Sequence, residues 1–66
     1  PGYIKTANTA PIRADKARNQ EILSRIPAGH WGAPHELMGV AVCLASDAAN
    51  YVNGCIMPVD GGYLVR

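Results

Sequence analysis

The sequence predicts an α/β unit that is not a complete fold by itself, in the order loop, helix, helix, edge strand. Three observations carry this. Helix formers and helical spacing fill 14–26 and 35–49, a single apolar run of strand length occupies 55–59, and nothing else in the 66 residues offers that run a partner. One strand makes no sheet, and one broadly apolar helix cannot bury itself against a mostly polar one. The missing surfaces are expected from other copies of the chain or from residues that precede Pro1.

Residues 1–11 lie between two prolines, are rich in Thr, Ala and Asn and lack periodicity, so they read as a loop. In 14–26, ADKARNQEILSRI, good helix formers dominate and Ile22, Leu23 and Ile26 make a narrow apolar stripe. Glu21 and Arg25 stand in the favourable i,i+4 order. Thr9 or Asp15 can cap the start, and Pro27 limits continuation because the residue before a proline is pushed out of helical geometry. PAGHWGAP, with two glycines and two prolines around Trp31, is an irregular connection. Pro34 suits the first turn of a new helix and Glu36 places a negative charge near its positive end. In HELMGVAVCLASDAA, Leu37, Val40, Ala41, Leu44 and Ala48 follow helical spacing, while Met38, Val42 and Ala45 widen the apolar surface to most of the circumference. Such a helix must be covered on more than one side. Ser46 and Asp47 end it and cap a further short turn, Asn53-Gly54 marks a tight turn, and CIMPV over 55–59 reads as a strand closed by Asp60-Gly61-Gly62. Pro58 has no N–H to donate, which assigns that strand to a sheet edge.

Composition excludes several classes. Six Lys and Arg against five Asp and Glu give a formal net charge of +1, far from the excess that drives phosphate-backbone binding, so nucleic acid is not an expected partner. The most apolar stretch, 37–45, has roughly half the length needed to cross a bilayer, so no membrane partner is expected. Hydrophobic residues make up 48% of the chain, too many for disorder. Two cysteines without the spacing of a disulfide framework point to a reduced, cytoplasmic protein, with Cys43 and Cys55 as small apolar residues. His30 and His35 have no third ligand at sensible spacing, so no metal is expected.

Three motifs in order span the chain: Pro1-Gly2-x-Ile4-x-Thr6, then Leu44-Ala45-Ser46-Asp47-Ala48-Ala49-x-Tyr51-Val52-Asn53-Gly54, then Val59-Asp60-Gly61-Gly62. Together they resemble the C-terminal end of the short-chain dehydrogenase/reductase family, a Rossmann-type doubly wound parallel sheet. RIPAG-WG and DGGYLVR are most similar to its branch acting on keto-sugar acids of the 2-deoxy-D-gluconate and 2-dehydro-3-deoxy-D-gluconate type, with His30 standing where that branch has arginine and Cys55 where it has a larger residue. The resemblance implies a parallel strand ending just before Pro1 and one Rossmann domain of which 1–66 is a fragment: 1–13 a cofactor and substrate loop, 14–33 a lid helix and loop, 34–66 a buried helix, edge strand and tail.

It also implies a function, an NAD-dependent oxidoreductase acting on the CH–OH group of a sugar acid, with roles for particular residues. A loop leaving a strand's carboxyl end lies where open α/β sheets bind ligands. Gly2 would let the backbone approach the nicotinamide of NAD, Ile4 would offer its main-chain N–H and C=O to the carboxamide, and the Thr6 hydroxyl would donate to the carboxamide or a phosphate. Asn8, Arg13 and Trp31 would face the sugar-acid substrate, with Arg18 an alternative to Arg13. The family transfers a proton with a tyrosine followed four residues later by lysine; Tyr3, Tyr51 and Tyr63 lack that lysine, and no G-x-x-x-G-x-G cradle is present, so no catalytic residue is expected on these 66 residues. The segment alone is expected to be inactive. A homo-tetramer through the C-terminal helix and edge strand would cover 37–44 and 55–59. The competing reading is a non-catalytic module that self-associates or binds a partner. For Trp31 the rival is a packing role, and for 13–25 a solvated helix face.

Overall fold

Residues 1–65 are described in a computed structural model of the chain, and Arg66, the last residue of the expected tail, lies outside the described residues. A 3-10 turn, Ala7–Thr9, runs into α1 (Ala10–Ala14), which is followed by α2 (Lys16–Ser24). A second 3-10 turn, Pro34–Leu37, leads into α3 (Met38–Ala45), and further 3-10 turns form at Asp47–Ala49 and Tyr63–Val65.

The helix expected over 14–26 therefore starts earlier and is broken. Pro11 sits in the first turn of α1, where its missing N–H is no loss, so it opens a helix instead of closing a loop. Asp15 adopts φ −86° and ψ 107°, which stops α1. Its Oδ1 then accepts the N–H groups of Ala17 at 3.1 Å and Arg18 at 3.2 Å, which starts α2. At the second start, Glu36 Oε1 accepts the Ala33 N–H at 2.8 Å, and Ser46 Oγ accepts the Ala48 N–H at 3.3 Å beyond α3.

Ile22 of α2 and Ile26 just beyond its end meet Trp31 from the glycine-rich connection, each only 4% exposed, and Tyr3, Ile12, Leu23 and Tyr63 pack against them. Burying an isoleucine in this way contributes roughly 1.5–3 kcal/mol. Tyr3 stands edge-on to both Trp31 and Tyr63, with ring centroids 5.4 and 5.7 Å apart. Three segments distant in sequence are tied together here. The Lys5 N–H donates to the Gly32 carbonyl at 2.8 Å and the Gly32 N–H to the Tyr3 carbonyl at 2.9 Å, a parallel bridge centred on Ile4 and Gly32. The Gly2 N–H donates to the Val59 carbonyl and the Ala28 N–H to the Gly61 carbonyl, both at 2.9 Å.

Within these residues alone, the expected edge strand and buried helix lack the partners they need. Residues 55–59 form no strand among the described residues, because a strand is defined by its ladder and this run is bonded only at Val59. Nor is α3 buried: among the described helical elements it packs only against the 3-10 turns that flank it, Val42 is 64% exposed, and Ile56 in the following run is 93% exposed. Cys43 and Cys55, expected inside, are exposed free thiols for the same reason. The radius of gyration of 14.0 Å exceeds the roughly 11 Å of a compact domain this long, as an incomplete core requires. Among the described residues no helix is long and apolar enough to cross a membrane, and no three His, Cys, Asp or Glu side chains are grouped as metal ligands would be.

Candidate functional site

The loop 1–6 is shaped by its neighbours before it can meet any ligand. A Cβ on Gly2 would lie 2.7 Å from both Cα and Cβ of Asp60, so glycine is required here by the approach of the chain's own Asp-Gly-Gly turn. The side of Gly2 without a Cβ faces Asp60, a packing reason for glycine that stands beside the expected approach to a cofactor ring. The turn itself is held by Asp60, whose Oδ1 accepts the Gly62 N–H at 2.9 Å and whose Oδ2 accepts the Leu64 N–H at 3.2 Å. Gly61 and Gly62 have φ of 67° and 93°, the left-handed region that glycine alone enters freely. Their backbone lies against Ile26, Pro27 and Ala28.

Beyond Gly2, alternation along the bridge turns the Tyr3 carbonyl and Lys5 N–H to Gly32 and the groups of Ile4 the other way. Among the described residues the Ile4 N–H meets no acceptor and the Thr6 hydroxyl makes no hydrogen bond. The Ile4 carbonyl accepts from the Thr9 hydroxyl at 2.9 Å and keeps its second lone pair. These groups present a donor, an acceptor and a hydroxyl, the set that an amide group such as a carboxamide requires.

Asn8 is exposed on the first 3-10 turn. The half-buried Arg13 does not reach away from the loop: its Nη2–H donates to the Thr6 carbonyl at 2.9 Å and its Nε–H to Thr9 Oγ1 at 3.3 Å. Arg18, the alternative, is exposed on α2. Trp31 is buried and its indole N–H donates to Asn19 Oδ1 at 2.7 Å, so the packing role is the one the structure gives it. Gly2, Ile4, Thr6, Asn8 and Arg13 thus share one loop and its first helix, whereas Trp31 lies in the core beneath.

A cavity of about 110 Å³ lies beside the bridge, lined by Tyr3, Ile4, His30, Gly32, Glu36 and Asp60 among others. A shallower hollow of about 230 Å³ is bounded by Pro1, Gly2, Tyr3 and Tyr63. The Glu36 carboxyl is held below its usual range, first by the Ala33 N–H it accepts and then by the positive charge that His30, His35 and Lys5 supply. His30 Nδ1–H donates to the Trp31 carbonyl at 2.9 Å, which fixes the ring at the rim.

Sequence reasoning missed two residues that shape the site. Thr9, read only as a helix cap, joins Ile4, Thr6 and Arg13; the Thr-x-x-Thr spacing of 6 and 9 was the available signal. Asn19, read as part of a solvated helix face, is committed to Trp31 twelve residues on, and no local pattern announces such a pair.

A sequence model of the family described as enoyl-(acyl carrier protein) reductase matches residues 1–64. The chain is 62% identical over 66 residues to the 2-dehydro-3-deoxy-D-gluconate 5-dehydrogenase of Bacillus subtilis (strain 168), a match that covers 100% of this chain and 26% of that relative. It also resembles a crystal structure from Agrobacterium tumefaciens, of a protein assigned as a 2-deoxy-D-gluconate 3-dehydrogenase with bound NADP. There the identity is 59% and the TM-score 0.96, over 100% of this chain and 27% of that one. A gluconate 5-dehydrogenase from Burkholderia cenocepacia J2315, in complex with NADP and tartrate, matches at 43% identity and TM-score 0.88 over 96% of this chain and 25% of that one. The chain spans about a quarter of the length of the curated relatives it matches.

Proposed function

This chain belongs to the short-chain dehydrogenase/reductase family, and from that premise we propose that it is the C-terminal segment of an oxidoreductase acting on the CH–OH group of a keto-sugar acid. The substrate is of the 2-deoxy-D-gluconate or 2-dehydro-3-deoxy-D-gluconate type, the chemistry by which its relatives are named. The observation that carries the reading is the pair of unengaged groups on the loop, the Ile4 N–H and the Thr6 hydroxyl, beside a carbonyl with a spare lone pair. A nicotinamide dinucleotide, when bound, supplies the hydride donor or acceptor. In our reading, Ile4 and Thr6 hold its carboxamide and Gly2 lets the Pro-Gly turn lie against Asp60, so that Ile4 is presented. Asn8, and the guanidinium N–H groups of Arg13 not bonded to the loop, face the substrate carboxylate. Residues 1–13 serve as the cofactor and substrate loop, 14–33 as the lid and 34–66 as the segment that meets the rest of the protein. Proton transfer is left to residues outside this segment.

NAD remains our reading of the cofactor, to be set against the NADP that the solved relatives hold. We further propose a cytoplasmic homo-tetramer in which the exposed faces of α3 and 55–59 are covered by other copies; that exposure also suits a non-catalytic association module. Both readings meet one experiment. The full-length protein carrying this segment is mixed with 2-dehydro-3-deoxy-D-gluconate or 5-keto-D-gluconate and NADH or NADPH, and nicotinamide absorbance is followed. Turnover with one of these pairs is expected, and no turnover with any of them overturns the enzymatic reading.

A further inference from the structure

We propose that Thr9 is a positioning residue of the nicotinamide-binding loop, with Arg13 as its anchor; the inference rests on the cofactor reading of Ile4 and Thr6 above. Thr9 Oγ1 lies half-buried at the centre of several bonds. It accepts the Thr6 N–H at 3.0 Å and the Arg13 Nε–H at 3.3 Å. Two lone pairs are thereby filled, and the single hydroxyl proton goes to the Ile4 carbonyl at 2.9 Å, nearer than the Thr6 carbonyl at 3.2 Å. The hydroxyl is saturated, and it joins residues 4 and 6, whose remaining groups are free for a ligand, into one closed ring. Arg13 completes the clamp by donating Nη2–H to the Thr6 carbonyl at 2.9 Å, a bond strengthened by the charge of its donor. A single oxygen on the first turn thus sets the spacing between the Ile4 N–H and the Thr6 hydroxyl.

Such a residue should act on cofactor affinity more than on anything else, because it holds the binding groups in place before the ligand arrives. In the full-length protein, Thr9→Val keeps the side-chain shape and removes the oxygen. It should weaken NADH or NADPH binding, read by the quenching of protein fluorescence, about tenfold, while kcat at saturating cofactor and sugar acid stays within a factor of two or so. Thr9→Ser restores the oxygen and should recover most of the affinity. Arg13→Met should weaken cofactor binding in the same direction. Hydrogen exchange of the cofactor-free protein gives a second readout: the Thr6 amide should lose protection in Thr9→Val and regain it in Thr9→Ser.

If the wild-type protein binds NADH or NADPH and Thr9→Val binds it equally well, the positioning role is wrong and the cofactor reading stands. If the Thr6 amide is equally protected in Thr9→Val, the link itself is absent whatever the ligand. If the wild-type protein binds neither cofactor, the reading beneath the inference fails and the inference falls with it.

Discussion

Gly2 and Gly32 face the same distance and should answer an added methyl group differently. On Gly2 the new Cβ would stand 2.7 Å from Asp60 Cα and Cβ and 3.2 Å from the Asp60 carbonyl oxygen. Carbon atoms settle at about 3.5–4.0 Å, so the two segments must part by roughly 1 Å. What has to move is backbone, held by the Gly2–Val59 bond at 2.9 Å and by the two N–H groups on the Asp60 carboxylate. Overpacking of this kind costs roughly 1–3 kcal/mol, and the stretched hydrogen bond adds about 1 kcal/mol. On Gly32 the nearest atom is also at 2.7 Å, but it is Ile4 Cδ1, the free end of a side chain that can rotate at about 0.5–1.5 kcal/mol. Thermal unfolding of the full-length protein reads the difference at about 2–4 °C per kcal/mol for a protein of roughly 150–250 residues. Gly2→Ala should lower Tm by roughly 4–16 °C and Gly32→Ala by roughly 1–6 °C. Adding Ile4→Val to Gly32→Ala removes the clashing carbon, so the pair should be less damaged than the sum of the two single changes. Equal losses in Gly2→Ala and Gly32→Ala, or strict additivity of the second pair, would refute this account of the loop.

Asn19→Ala should cost roughly 1–3 kcal/mol by leaving the indole N–H of buried Trp31 without its 2.7 Å partner. In a Trp31→Phe background that loss should nearly vanish, and denaturant unfolding of the four proteins checks it. Glu36 has a folded carboxyl pKa below the unfolded one, so its contribution is present above the ordinary carboxylate range and is lost as pH falls through the folded value. Glu36→Gln, which keeps an oxygen for the Ala33 N–H, should flatten the acid limb of the Ala33 amide shift followed by NMR. The isolated 66 residues, with three apolar side chains in the core cluster and α3 in solvent, should be poorly folded or aggregated. A cooperative monomeric melt of that peptide by circular dichroism contradicts this.

Local signals carried the helix starts well: Pro34 with Glu36 begins the second helical half, and Ser46 caps the turn after α3. They also carried Asp15, named as a cap of the helix over 14–26, and they failed at Pro11, which reads as part of the loop. Pro11 is equally at home in a loop and in a first helical turn, and Asp15 takes extended geometry to end one helix while capping the next. The strand at 55–59 was legible as an apolar run, but a ladder needs a partner and none lies in these residues. Within the site, the unengaged Ile4 N–H follows from the bridge to Gly32, a contact between positions 28 residues apart that no local pattern encodes. The Pro-Gly pair illustrates the limit most clearly. Its role as a turn was readable, whereas the contact of its glycine with Asp60, at the far end of the chain, was not.

That contact gives the two terminal motifs one physical connection. The Asp-Gly-Gly turn takes left-handed geometry, and Asp60 ties it back on itself through Gly62 and Leu64. The resulting wall meets Gly2, whose N–H donates to the Val59 carbonyl, and fixes where the loop departs. Gly32 then fixes the loop at Tyr3 and Lys5, and Thr9 with Arg13 fixes it at Ile4 and Thr6. Residues 2 to 6 are thus set by three elements in turn, and the Ile4 N–H and Thr6 hydroxyl are left over from all of them. A loop so extensively tied has little freedom to lose when it binds, so any affinity it supplies is not offset by ordering the backbone. The motif glycines accordingly shape the loop through packing: they admit close backbone approaches that place its polar groups, and a side chain at Gly2 would displace those groups by pushing against Asp60.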